Sequence, residues 1–155
     1  MREIRRIVEQ MEAIHTGDSW AGANLADSVK GLTWEQASAH PVPESHSIWE
    51  ITLHLITTQL YIVDLCRGIS RPFEPGDEWP AIEVKNQQAW DDTVERFLAG
   101  EAETRTVVAG ELEIDALDAP FRKGGSSVYS TLHGYIHHAL YHGGQISMLR
   151  RLVKP

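Results

Sequence analysis

Apolar residues recur at spacings of three and four along most of this chain, and that periodicity predicts an all-α protein. The first run starts at Arg2 and places Ile4, Ile7, Val8, Met11 and Ile14 on one face. Thr16-Gly17-Asp18 interrupts it. A second piece, from about Ser19 to Lys30, continues through Trp20, Ala23 and Leu25 until Gly31-Leu32-Thr33 stops it. Thr33 and Gln36 have capping-box spacing and open a short helical turn ahead of Pro41 and Pro43. Ser47 and Glu50 repeat that spacing and open a strong helix to about Arg67, stopped by Gly68. Pro72, Pro75, Gly76 and Pro80 make residues 69–80 a loop. A long helix is expected from about Ile82 to Ala109, with Val84, Trp90, Val94, Phe97 and Leu98 as its apolar side. Between Gly110 and Ser127, the stretch Glu111 to Leu117 reads equally as a short extended piece or a frayed helix end. The last helix runs from about Ser127 to Val153. No stretch has the β-branched alternation a sheet needs. Four long helices with moderate loops predict a four-helix bundle, as one domain over residues 1–155.

Composition narrows the function classes. At 155 residues the chain is large enough to bury a core without covalent staples. No apolar run approaches the ~18 residues needed to cross a bilayer. The N-terminal Met1-Arg2-Glu3-Ile4-Arg5-Arg6 lacks a signal-peptide core, so a cytoplasmic protein is expected. A formal net charge of −8, with no basic stripe to offset it, argues against nucleic acid or an anionic membrane as partner. The one cysteine, Cys66, excludes an internal disulfide and a cysteine-based zinc cluster; late in an apolar stretch, it reads as a buried, inert thiol.

The candidate chemistry lies in the histidines. His138 and His142 are one helical turn apart, and on a wheel with His138 at zero, His142 falls at about 40° and Leu149 at about 20°. Tyr135 and Val153 fall at about 60° and Ile146 at about 80°, so both histidines lie within the apolar stripe. His133 and His137 fall at about 220° and 260°, on the opposite, wet face. Two inward imidazoles are read either as core groups hydrogen-bonded to neighbours or as metal ligands, since a shared ion satisfies a nitrogen of each. His54 shares a stripe of its helix with Ile51, Thr58, Tyr61 and Leu65, and supplies a third ligand if that helix and the last pack as neighbours. Three imidazoles make a facial site that leaves coordination positions open. Gln145, at about −20° on the wheel, is read either as a pocket or supporting residue or as a helix-packing hydrogen-bonder, and Thr58 is a further pocket candidate. His15 and His40 read as surface or helix-end residues, and His46, just before the capping box, as reaching either solvent or the pocket mouth. No glutamate lies three residues before His54, His138 or His142, which removes the di-iron pattern, and the residues between the paired histidines exclude H-E-x-x-H.

The run His46-Ser47-Ile48-Trp49-Glu50-Ile51-Thr52-Leu53-His54, together with His138-Ala139-Leu140-Tyr141-His142-Gly143-Gly144-Gln145-Ile146, resembles the DinB/YfiT-like metalloenzyme superfamily. The Trp20-Ala21-Gly22-Ala23-Asn24 segment and the chain length also fit. The resemblance implies a four-helix bundle, commonly a homodimer, with a divalent metal, usually zinc or nickel, on His54, His138 and His142, and water completing the shell. It also implies a small-molecule substrate and, from characterised relatives, transfer of a low-molecular-weight thiol such as bacillithiol or mycothiol to small electrophiles. The ion would stabilise the nucleophilic thiolate. Two alternatives stand beside a thiol S-transferase. One is a metal-assisted hydrolase, which lacks an in-motif base unless Glu50 or Asp64 serves; the other is a non-catalytic metal-binding stress protein. The loops 69–80 and 110–127 are expected to shape any pocket.

Overall fold

A computed structural model describes residues 2–69, 71, 74 and 76–153. Four long helices carry the fold: α1 (Arg2–His15), α4 (Ile48–Cys66), α5 (Gln87–Glu111) and α6 (Val128–Leu152), with two short ones, α2 (Leu25–Val29) and α3 (Trp34–Ser38), between the first two. No strand occurs among the described residues, so the all-α expectation holds.

The long helices α4, α5 and α6 each begin where the sequence offers a cap. Ser47 and Glu50 form the reciprocal capping box of α4, and Thr33 and Gln36 that of α3. Ser127 accepts from Ser130 N at the start of α6, and Asn86 from Ala89 N at the start of α5. Each such cap is worth about 1 kcal/mol. After α4 the chain leaves through Gly68, whose φ of +68° is open to glycine at little cost.

α4 is the central helix, packing against both α5 and α6. Its buried residues, among them Ile48, Trp49, Ile51, Leu55, Ile56, Ile62 and Leu65, spread around most of its circumference. Trp49 meets Trp90 edge-on, with ring centroids 5.4 Å apart, and its indole donates to Thr93 Oγ1 at 3.1 Å. α1 contributes Ile4, Ile7, Met11 and Ile14, and α6 contributes Leu132, Tyr135, Ile136, Ala139, Ile146 and Leu149. α2 comes close to α6 at Gly143, where a Cβ would stand 3.2 Å from Leu25 Cδ2. Arg150 Nη1 then donates to the carbonyls of Ser28 and Lys30, both at 2.8 Å, which ties the end of α2 to α6.

Two expectations are corrected and one open reading is settled. The second helical piece is far shorter than residues 19–30: Ser19–Gly22 is a tight turn, Asn24 caps Leu25–Val29, and Trp20 is fully exposed. α5 starts at Gln87 instead of near Ile82, because Asn86 supplies the cap; Val84 lies in the preceding extended stretch and is exposed. The stretch around Glu111–Leu117 resolves into the end of α5 and one 3-10 turn, Ile114–Ala116. Cys66 is half-buried at the end of α4, and burial, reinforced by the nearby Glu111 carboxylate, pushes its thiol up to about 11.

Candidate metal centre

Packing α4 against α6 brings His54 alongside His138 and His142. One ring nitrogen from each lies within 4.8 Å of the others, so the three could hold a metal ion. His54 and His138 are half-buried and His142 is buried, and the rings meet edge to face with centroids 4.5 to 4.8 Å apart. His54 Nε2 and His138 Nε2 are 2.8 Å apart.

Which nitrogens are free for a ligand follows from their partners. His54 Nδ1 is 2.6 Å from the backbone carbonyl of Glu78, which can only accept, so Nδ1 carries the ring proton and Nε2 presents its lone pair. His142 Nδ1 stands 2.6 Å from Gln145 Oε1, again an acceptor, and His142 Nε2 is likewise left free. The Gln145 amide is oriented by donating its Nε2 to the Tyr141 hydroxyl at 3.3 Å. A carbonyl behind a ligating imidazole, fixing its tautomer and ring angle, is the arrangement metal-binding histidines use. Around an ion with Zn–N bonds near 2.0–2.1 Å, tetrahedral ligand nitrogens sit ~3.3 Å apart, which the observed spacings bracket. Burial, together with the neighbouring His142 and His54, lowers His138 to about 4; burial also lowers His142, against the hydrogen bond it donates to Gln145. Near neutral pH both are therefore uncharged and able to donate lone pairs.

An aromatic wall closes one side. Trp79 stacks on His54 at 4.1 Å and, with its other face, on His46 at 3.5 Å, the rings nearly parallel in both pairs. His46, itself exposed, thus lies at the edge of the site, which agrees with both of its readings. The turn that carries Glu78 and Trp79 is closed by Trp79 N donating to Gly76 O at 3.1 Å. Directly against the histidines lies a cavity of about 530 Å³ lined by His54, Thr58, Tyr61, Glu78, Arg122 and His138. Thr58 reaches this cavity but donates its hydroxyl to His54 O within α4, at 3.1 Å.

The remaining histidines separate as follows. His137 is exposed; His133 is half-buried against Tyr129, with ring centroids 4.4 Å apart, and so is drier than its wheel position implied. His40 is exposed and pairs with Glu50 at 2.9 Å. His15 is a correction: it is 2 % exposed, inside the bundle between Phe97 and Tyr135. Both carboxylates considered as bases are committed elsewhere. Burial works against ionising Glu50, yet the Ser47 backbone and side chain and His40 hold it below its usual range. Asp64 is paired with Arg71 at 2.8 Å.

The family model described as the DinB superfamily matches residues 18–146, which takes in both histidine-bearing helices. The chain belongs to the DinB superfamily. As a DinB-superfamily protein it is also similar in structure to a conserved protein from Enterococcus faecalis, with a TM-score of 0.64 and 17 % identity, covering 98 % of this chain and 93 % of that one. At that identity the likeness speaks for the shared bundle. No curated protein matches the sequence. No helix among the described residues is long and apolar enough to cross a membrane.

Sequence reading missed Glu78, Trp79 and Arg122 as parts of the site, although it placed them in the two loops expected to shape a pocket. The one local signal was an aromatic residue directly before a proline, Trp79-Pro80, a pairing that disfavours helix at the aromatic residue.

Proposed function

We propose that this DinB-superfamily protein is a metal-dependent enzyme that holds a divalent ion, zinc or nickel, on His54, His138 and His142 and transfers a low-molecular-weight thiol to a small electrophile. The observation that carries the reading is the pair of carbonyl acceptors, Glu78 O and Gln145 Oε1, behind two of the three convergent imidazoles. A divalent ion with three protein ligands keeps part of its shell for an exchangeable group and stabilises a thiolate near neutral pH.

The chain's own residues do the rest. Glu78 and Gln145 set the ring angles, so the ligands need little reorganisation on binding. The Trp79 face shields one face of His54 from water, and the cavity of about 530 Å³ lined by His54 and His138 admits a small molecule. A hydrolase reading needs a carboxylate base at the site, and Glu50 and Asp64 are both engaged in other pairs.

Metal-loaded protein, assayed with bacillithiol, mycothiol and glutathione against model electrophiles, tests the reaction. Turnover with at least one thiol, abolished in His54→Ala, is the expected result. Full metal occupancy without turnover by any of the three contradicts the transferase reading and leaves a metal-binding protein.

A further inference from the structure

We infer that Arg122, placed over the Tyr61 ring, forms an anion subsite in the cavity beside the three histidines and takes the carboxylate of a small substrate or thiol. The inference rests on the metal-centre reading and adds to it the substrate's charge. Arg122 and Tyr61 line the same cavity of about 530 Å³ as His54 and His138. The guanidinium carbon sits 5.2 Å from the Tyr61 ring centroid. A cation–π contact of this kind uses none of the guanidinium N–H donors, so they can serve in two parallel bonds to a carboxylate. None of the ion pairs among the described residues involves Arg122.

The backbone beneath Arg122 is tied down. Phe121 packs against the core, and Gly125 N donates to Arg122 O at 2.9 Å. That turn needs its glycines: Gly124 has a φ of +79°, and a Cβ on Gly125 would stand 3.2 Å from Arg122 O. Two further bonds, Val128 N to Ala119 O at 2.8 Å and Tyr129 N to Leu117 O at 2.9 Å, fasten the loop to the start of α6. A long flexible cation on such a base is partly pre-organised, which lowers the ordering cost of binding. One guanidinium, with Glu78 on the same wall and a net charge of −8 on the chain, suits a single carboxylate better than a multiply charged phosphate.

Cobalt-substituted protein titrated with mercaptoacetate, 3-mercaptopropionate and 4-mercaptobutyrate, each against the mercaptoalcohol of equal length, tests the subsite. The readout is the sulfur-to-cobalt absorption band. At one chain length the acid is expected to bind about tenfold or more tightly than its alcohol. Arg122→Met removes that advantage, Arg122→Lys restores part of it, and the neighbouring control Lys123→Met keeps it whole. An advantage that survives in Arg122→Met, as chelation of the ion by the carboxylate would give, or that is absent from the parent protein, overturns the subsite while the metal centre stands. Failure to take up cobalt at all overturns the metal centre and the subsite with it.

Discussion

The bundle buries histidine in two places, and the two are built for different ends. His15 is enclosed where α1, α5 and α6 meet, its Nε2 3.3 Å from the Tyr135 hydroxyl, with Glu101 and Thr104 buried nearby and Arg105 Nε lying 2.8 Å and 3.0 Å from the two Glu101 oxygens. Burial, followed by the Arg105 charge, lowers His15 to about 3. His54 and His138 are only partly enclosed, beside a buried His142; their free nitrogens converge on one another, their other nitrogens are held by carbonyls where partners are found, and a cavity adjoins them. A buried imidazole alone therefore says little. What separates a core histidine from a candidate ligand is convergence of lone pairs together with access from outside.

The largest expected effect breaks the comparison on the His15 side, through acid. His15 is neutral in the folded protein down to about pH 3, whereas in the unfolded chain it takes up a proton near pH 6.5. The unfolded state thus binds more protons in between, so its contribution to stability is full above pH 6.5 and is lost as pH falls toward 3. The slope is at most about 1.4 kcal/mol per pH unit, or about 5 kcal/mol over the window. His138 and His142 act in the same direction, discounted for their partial exposure. Denaturant melts of metal-free protein at stepped pH are expected to show this slope, and His15→Leu to flatten it without removing it. An unchanged slope in His15→Leu contradicts the enclosed, neutral His15.

A smaller effect sharpens the other side. Gln145→Ala removes the acceptor behind His142 and is expected to weaken metal binding by about 10- to 100-fold. Folding stability of the metal-free protein should change little, because the Gln145 side chain is only half-buried. Calorimetric titration with zinc measures the first and a urea melt the second.

The sequence foretold most where the cause is local. Both capping boxes join residues three apart, and the wheel phase of α6 separates His138 and His142 from the exposed His137 without knowledge of any other helix. The start of α5 was misread although Asn86 supplies an ordinary cap, because the apolar Ile82 and Val84 stand just before it and were counted with the helix. His15 could not be read at all: it stands at the end of α1, and its burial is created by Phe97 and Tyr135, more than eighty residues away in the chain by count along the sequence. Glu78, Trp79 and Arg122 were hidden for the same reason, since loop residues acquire their neighbours only when the loops dock onto helices already packed.

The most direct measurement is the metal content of four variants beside the parent protein, by elemental analysis after loading with zinc and desalting. The account predicts about one ion per chain in the parent and in His15→Leu, and loss of that ion in each of His54→Ala, His138→Ala and His142→Ala. Retention of the ion in all three alanine variants, with their helical content intact by circular dichroism, would contradict the centre.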